Sequence, residues 1–174
     1  LLGYSYRCLI SVAQHLLHLP PCLHHSRPMK AITFKGIQSL AYEDIPDPGL
    51  LDSMDVIIRV TAAGICGSDL HPYFGREQGL DCGTVMGHEL LGEVVEVGSD
   101  VQRFSLGDIG VAPFTTNCGS CFFCRSGLTA RCEAGQLFGW IENGVGLHGA
   151  QAEFVRVPMA DSRLLSIIHI SDPT

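Results

Sequence analysis

ELLGEVVEVG, residues 89–98, alternates apolar and polar side chains towards its end, a period that is typical of a half-buried β-strand. Four further segments are rich in β-branched residues and are bounded by glycine, proline or aspartate: AITF (31–34), DVIIRVTAAG (55–64), GDIGVAPF (107–114) and AEFVRVP (152–158). No stretch of about twelve residues or more has a clear helical period. The sequence therefore predicts a mainly β fold, a barrel or a sandwich, whose long loops carry the chemistry.

The composition favours a small molecule or another protein as the partner. The chain has 174 residues and a formal net charge of −7, so we do not expect it to bind nucleic acid. No apolar run reaches the roughly 18 residues that a membrane helix needs, and no secretory signal is recognisable. We therefore expect a cytoplasmic protein without a membrane partner.

The two ends of the chain differ in character from its middle. Residues 1–28 contain two arginines and no acidic residue, and we interpret them as a non-native leader before a start at Met29. An organelle-targeting peptide is the alternative. Residues 166–174, SIIHISDPT, have no periodicity and are interpreted as an artefactual tail. The folded domain is thus predicted to span residues 29–165.

NCGSCFFCRSGLTARC, residues 117–132, brings four thiols together with the spacing C-x2-C-x2-C-x7-C. Disulfides, a redox pair, an iron–sulfur cluster and zinc are the possible explanations. Disulfides fit poorly with a chain that has no recognisable signal, and a redox pair needs a single C-x-x-C between a strand and a helix. Zinc suits the spacing best, and four thiolates would fill its tetrahedral shell. We predict a structural zinc held by Cys118, Cys121, Cys124 and Cys132.

A second, open metal site is indicated by Cys66 in GICGSDLH (64–71) and His88 in GHE (87–89). A thiolate and an imidazole at the ends of strand-like segments are ligands that zinc favours. Both residues stand beside glycines, which permit a close approach of the backbone. The alternatives are an inert buried thiol and an ordinary turn.

Four neighbouring residues could complete this site. Asp69 could accept a hydrogen bond from the imidazole and orient it, and Glu89 could approach the metal. Ser68 and His71 could carry a proton from a metal-bound substrate to solvent.

The motifs GICGSDLH, VMGHELLGEVVEVGSDV, FSLGDIGVAPF and the four-cysteine stretch, in this order, resemble the zinc-dependent medium-chain alcohol dehydrogenases. The resemblance covers essentially all of residues 29–165. It implies the catalytic domain of that family, a partly open β barrel of the GroES-like type with a zinc-bound loop lobe. It also implies zinc-assisted hydride transfer from an alcohol to NAD or NADP.

Carried over residue by residue, the resemblance implies two zinc ions. Cys66 and His88 would be catalytic ligands with Glu89 near the metal, and the four lobe cysteines would hold structural zinc. Ser68 and His71 would form the proton relay, with Asp69 supporting the ligands. The substrate would be an alcohol, a polyol or an aldehyde, and the full-length protein could be a homo-oligomer.

Two parts of such an enzyme are not found in the sequence: a third catalytic zinc ligand and a Rossmann domain for the coenzyme. GVGLHG, residues 144–149, matches G-x-G-x-x-G, but a strand pattern follows it where a helix would have to begin. We interpret it as a glycine-rich loop before a strand, so the coenzyme-binding residues stay unknown. The chain alone is expected to be inactive.

Other residues are weaker candidates. Trp140, His148 and Phe74 could line a substrate pocket, although loop residues of these types more often have no direct role. Cys82 is interpreted as a thiol outside both metal sites, with a misassigned metal ligand as the alternative. A different class of function also stays open: a freestanding zinc-stabilised β module that binds another protein and holds one zinc.

Overall fold

Nine β-strands form most of the regular structure in residues 28–167, the part of the chain that the computed structural model describes. They are β1 (Pro28–Gly36), β2 (Ser39–Pro46), β3 (Val56–Ala63), β4 (Leu90–Val97), β5 (Ile109–Ala112), β6 (Trp140–Glu142), β7 (Val145–Leu147), β8 (Phe154–Val157) and β9 (Leu165–Ser166). Each of the five predicted segments contains or lies within a strand, so the mainly β fold is confirmed. The predicted leader, apart from Pro28, lies outside the described residues, as do the tail residues 168–174.

Helices in the described residues are short. They are α1 (Leu70–Tyr73), α2 (Phe122–Arg125) and α3 (Ala160–Arg163), together with 3-10 turns at Gly67–Asp69 and Thr129–Arg131. We expected no long helix, because no stretch of the sequence has a clear helical period. None of these helices has the length and apolar character needed to cross a membrane.

The main sheet is antiparallel, with five strands in the order β8-β3-β4-β5-β9. Two hairpins, β1–β2 and β6–β7, form separate two-stranded sheets. Single bridges join β1 to the segments around Val85 and Ala152. Among the described strands, β8 and β9 are the edges of the main sheet, which does not close on itself.

The core lies against the centre of the main sheet. Leu90, Gly92 and Val94 of β4 are buried and alternate with half-buried neighbours, as the period of two in the sequence predicts. Both faces of β3 are covered at its start, where Val56, Ile57 and Ile58 are all buried. The largest side chains packed with them include Phe104, Phe138, Leu147 and Leu164.

Several strands were not predicted from the sequence. Strand β2 pairs with β1 along its whole length, but its side chains are exposed or half-buried, so it lacks an apolar stripe. The hairpin β6–β7 has only three residues in each strand. GVGLHG falls in this hairpin and in the irregular residues after it, and β8 follows. No helix begins at its last glycine, so the rejection of a dinucleotide motif is confirmed.

The sheet continues past the predicted end of the domain at residue 165. Ser166 pairs with Gly110 of β5, and the Ile167 N–H donates to the Ile109 carbonyl at 3.0 Å. These two residues therefore belong to the fold, although we assigned them to a tail. Main-chain pairing at an edge places no demand on side-chain pattern, which explains why the sequence did not reveal it.

The strand register decides where the functional residues meet. Ala63, the last residue of β3, lies opposite Leu90, and Leu90 lies opposite Ala112 at the end of β5. The loops that follow β3 and β5 and the loop that precedes β4 therefore emerge at the same end of the sheet. These loops carry GICGSDLH, GHE and the four-cysteine stretch.

Candidate metal centres and active site

The open cluster consists of Cys66, His88 and Glu89. One potential ligand atom from each residue lies within 4.8 Å of those of the other two. Cys66 and His88 are half-buried, and Glu89 is exposed. A thiolate, an imidazole and a carboxylate oxygen can each bind zinc, and a catalytic zinc combines such groups with a position left open for the substrate. The donor set fits a catalytic zinc.

Asp69 connects the two inner members of the open cluster. Its Oδ1 lies 3.2 Å from His88 Nδ1, and its Oδ2 accepts a hydrogen bond from the Cys66 N–H at 2.8 Å. The side chain is buried, with 9% of its surface exposed. If Nδ1 carries the imidazole proton, Nε2 presents its lone pair to the cluster. The predicted orienting contact is therefore present in the structure.

Ser68 lies against the same two residues. Its Oγ is 3.1 Å from His88 Nε2. Hydrogen bonds from the Ser68 side chain, then from its backbone, lower the pKa of the Cys66 thiol, and His88 adds to the effect. Stabilising the thiolate prepares Cys66 to bind a cation.

Gly64 allows Glu89 to join the cluster. The Gly64 N–H donates to the Glu89 carbonyl at 3.1 Å, which extends the pairing of β3 and β4 by one residue. A Cβ atom at position 64 would lie 2.1 Å from Glu89 Oε2. A side chain at position 64 would therefore displace the carboxylate of Glu89 from this position.

His71 is not brought into contact with the cluster. It lies on α1, its side chain is exposed, and it does not line the cavity around Cys66. The role of His71 in a proton relay stays a prediction.

A cavity of about 610 Å³ adjoins the open cluster. Cys66, Asp69, His88 and Glu89 contribute to its wall, and so does Ser68. The rest is largely apolar and includes Met86, Phe114, Leu137, Phe138 and Trp140. Most of these wall residues were missed in the sequence, because they come from separate segments that only the strand register brings together.

The weaker candidates have different outcomes. Trp140 lines this cavity, whereas Phe74 is exposed and packs edge-to-face on Tyr73 with ring centroids 4.9 Å apart. His148 lies elsewhere, where its Nδ1 accepts a hydrogen bond from the Val85 N–H at 3.1 Å. Burial, followed by the charge of Arg156, lowers the pKa of His148 and keeps Nδ1 available as an acceptor.

Cys82 belongs to neither of the metal-ligand groups found among residues 28–167. Its Sγ contacts the Lys35 carbonyl oxygen at 3.5 Å. The interpretation of Cys82 as a thiol outside both sites therefore agrees with the geometry.

The closed cluster consists of the four cysteines of the lobe between β5 and β6. All four sulfur atoms lie within 4.8 Å of one another, and Cys118 Sγ is 4.0 Å from Cys124 Sγ. A disulfide would require about 2.05 Å, whereas sulfurs that share a tetrahedral zinc at about 2.3 Å lie about 3.8 Å apart. The distances fit a tetrathiolate metal site, and the four thiols are free.

Hydrogen bonds to sulfur already organise this cluster for thiolates. The Cys121 N–H donates to Cys118 Sγ at 3.4 Å, and the Cys118 N–H donates to Cys132 Sγ at 3.2 Å. Contacts from Ser120 lower the pKa of Cys118 to about 6, while burial and the neighbouring thiols raise the pKa of Cys124 to about 12. Four sulfurs this close cannot all carry a charge without a cation, so this donor set also fits zinc.

Comparison with known proteins finds alcohol dehydrogenases of the zinc type. Residues 52–167 match the family model of the alcohol dehydrogenase GroES-like domain. The chain is 45% identical over 181 residues to zinc-type alcohol dehydrogenase B of Aspergillus flavus, with 94% of this chain and 41% of that protein covered. An alignment of this coverage includes part of residues 1–28, the predicted leader.

Solved structures show the same fold. Alcohol dehydrogenase TADH from Thermus sp. ATN1 is 39% identical, with a TM-score of 0.75 over 79% of this chain and 40% of that one. A zinc-binding dehydrogenase from Sinorhizobium meliloti 1021, bound to NADP, is 28% identical, with a TM-score of 0.68 over 85% of this chain and 41% of that one. The chain thus spans about two fifths of the length of these relatives. It belongs to the zinc-dependent medium-chain alcohol dehydrogenase family and carries that family's GroES-like domain.

Proposed function

We propose that this chain is the zinc-binding catalytic domain of an NAD(P)-dependent alcohol dehydrogenase, an oxidoreductase. The observation that carries the proposal is the meeting of Cys66, His88 and Glu89 within 4.8 Å beside an apolar cavity. A scaffold needs no such arrangement, whereas a hydride-transfer enzyme needs a cation next to a pocket for its substrate. Family membership supports the same reaction class.

Cys66 and His88 would hold the catalytic zinc, with Glu89 as an adjacent carboxylate. Zinc bound there would supply a Lewis acid that polarises an alcohol oxygen and lowers its pKa. Asp69 keeps the imidazole in place through Nδ1 and keeps the thiolate loop in place through the Cys66 N–H. The apolar wall would lie against the reacting carbon of the substrate and limit its contact with water.

Ser68 and His71 would move the proton that the alcohol loses. The Ser68 hydroxyl lines the cavity and lies 3.1 Å from His88 Nε2, so the oxygen of a substrate bound at the open cluster would lie near it. His71 is three residues further along the chain with its side chain in solvent, where it can release the proton. We propose that Ser68 accepts the proton and passes it towards His71.

The four cysteines of the lobe would hold a structural zinc, since their thiolates occupy all four tetrahedral positions. The coenzyme, NAD or NADP, would bind in the part of a full-length protein that corresponds to the uncovered length of the relatives. A third catalytic ligand would also come from that part. The substrate would be a small alcohol, polyol or aldehyde, and the full-length protein could form homo-oligomers.

Metal content tests the proposal. The full chain is dialysed against zinc, and zinc per chain is measured by atomic emission at increasing concentrations of a chelator. We expect one tightly held and one weakly held zinc. Cys66→Ala should remove the weak site alone, and Cys124→Ser with Cys132→Ser should remove the tight one. A single zinc that is insensitive to Cys66→Ala would contradict a catalytic site and favour the freestanding zinc-stabilised module.

A further inference from the structure

Arg163 is a buried cation beside the four-cysteine cluster. It ends α3, and only 8% of its surface is exposed. Burial lowers the pKa of Arg163, and the charge of Cys124 acts in the opposite direction. An arginine that is buried so deeply is normally paired with a carboxylate, because an isolated charge is costly to remove from water.

No carboxylate of residues 28–167 forms a salt bridge with Arg163. Its Nη2 donates to Thr115 Oγ1 at 3.0 Å, and its Nη1 lies 3.1 Å from the Asn117 amide oxygen once that amide is oriented to accept. Its Nε is buried without a hydrogen-bond partner. The other arginine near the core differs, since Arg156 pairs with the carboxylate of Asp55 at 3.0 Å.

The surroundings of Arg163 connect α3 directly to the lobe. Thr115 and Asn117 lead into Cys118, and the Ser162 Oγ donates to the Asn117 carbonyl. A Cβ atom at Gly119 would lie 3.2 Å from Ser162 Cβ, so the first turn of the lobe packs against the helix. The guanidinium is therefore fixed at the base of the lobe and is not a mobile surface charge.

We propose that Arg163 is the counter-charge of the metal in the closed cluster. This inference rests on the proposed zinc site. Four thiolates around one Zn²⁺ carry a net charge of about −2, and residues 28–167 place no other buried cation against them. The positive charge of Arg163 offsets half of that charge in a poorly solvated place, where electrostatic interactions are weakly screened. Arg163 thus sets the affinity of the lobe for zinc without touching the ion.

Paired substitutions separate charge from hydrogen bonding. Arg163→Lys keeps the charge, and Arg163→Gln keeps the capacity to donate to Thr115 and Asn117 without it. Both are made in the full chain carrying Cys66→Ala, so that only the closed cluster binds zinc tightly. Arg125→Gln is the matched control, because Arg125 follows Cys124 directly but is exposed. Thr115→Val removes one acceptor of Arg163 and no charge.

Zinc affinity is measured by competition with a chromophoric chelator, and Co²⁺ absorption reports whether thiolates still bind the metal. We expect Arg163→Gln to weaken zinc binding by about 10-fold to 100-fold. Arg163→Lys, Arg125→Gln and Thr115→Val should stay within about threefold of the parent. Thermal unfolding of the metal-free forms measures whether a substitution acts through the fold.

Other results would overturn the inference. If Arg163→Gln and Arg163→Lys weaken zinc binding equally, or if neither does, Arg163 acts through packing or hydrogen bonds and the counter-charge role fails while the zinc site stands. If the Cys66→Ala parent itself binds no zinc, the proposed structural zinc site fails, and this inference fails with it.

Discussion

At the scale of single residues, Asp69 holds the open cluster together. Its two carboxylate oxygens each serve a different member: Oδ1 contacts the His88 imidazole and Oδ2 accepts from the Cys66 N–H. Both contacts need an acceptor at the carboxylate. The positions of His88 and Cys66 in the cluster therefore depend on a residue that does not bind the metal.

Asp69→Asn should weaken metal binding at the open cluster by about 10-fold to 100-fold. An amide has a single acceptor oxygen, so its NH2 group would face either the imidazole N–H or the backbone N–H. The measurement is a Co²⁺ titration followed by the fluorescence of Trp140, the only tryptophan of the chain, which lines the same cavity. Asp100→Asn, on an exposed loop, is the control. Equal affinities of Asp69→Asn and the wild type would rule out the orienting role.

Residue spacing predicted which residues form the metal-ligand groups, but it predicted poorly which residues surround them. Two cysteines in C-x2-C can reach one ion from a single turn, so the closed cluster was visible in the sequence alone. The contact of Asp69 with His88 could also be predicted, because His88 is a ligand candidate and Asp69 lies three residues after the other candidate, Cys66. Trp140 was only one of three weak candidates for a pocket and Met86 was missed, since neither has a local signal that marks the cavity. Arg163 was missed because its position depends on how α3 packs.

At the scale of elements, the pairing of β3 with β4 positions the open cluster. Gly92 sits at the centre of this pair, opposite Val60. A Cβ atom there would lie 2.3 Å from the Arg59 carbonyl oxygen and 2.5 Å from Ile58 Cγ2. The two strands can keep their separation only if residue 92 has no side chain.

Gly92→Ala should lower the free energy of unfolding by about 3 kcal/mol, because backbone atoms of β3 would have to move. Gly49→Ala is the control, since a Cβ atom at position 49 meets nothing within 4 Å. Its effect should be within about 0.5 kcal/mol. Urea unfolding of the zinc-loaded chains, followed by circular dichroism, measures both. A Gly92→Ala chain as stable as Gly49→Ala would show that the strands separate without cost.

The elements that were predicted are those with an apolar stripe. Strands β3, β4 and β8 bury side chains in the core, and their segments have the expected composition. Strand β2 and the hairpin β6–β7 are held by pairing with a neighbour, and their own residues are largely exposed or half-buried. A strand that depends on its partner more than on burial leaves a weak trace in its own sequence.

At the scale of the whole molecule, one end of the main sheet collects the functional loops. The loops next to β3, β4 and β5 supply Cys66, His88 and the cavity residue Phe114. Their meeting follows from the antiparallel order of three strands, which the sequence did not specify. The fold class and the candidate metal-ligand residues could thus be predicted from the sequence, but the shape of the pocket could not.

The zinc-loaded 174-residue chain should not reduce NAD⁺ or NADP⁺ with an alcohol. The described residues hold two of the catalytic ligands implied by the family, and their G-x-G-x-x-G match is part of a hairpin and the irregular residues after it. The absorbance of the reduced nicotinamide is followed with ethanol and a polyol, and the Cys66→Ala chain is the background control. Coenzyme reduction that is lost with Cys66→Ala would show that this chain already binds coenzyme.

The lobe joins the rest of the molecule through a narrow neck. The Thr116 N–H donates to the Gln136 carbonyl at 2.8 Å, the Gln136 N–H donates to Thr116 Oγ1 at 2.8 Å, and a bridge links Thr115 to Leu137. The two ends of the insertion are therefore as close as the ends of a β-hairpin. Because the neck fixes both ends, a change in the length of residues 120–135 would not need to shift the register of the main sheet. The neck thus separates the length of the metal-bearing segment from the geometry of the main sheet.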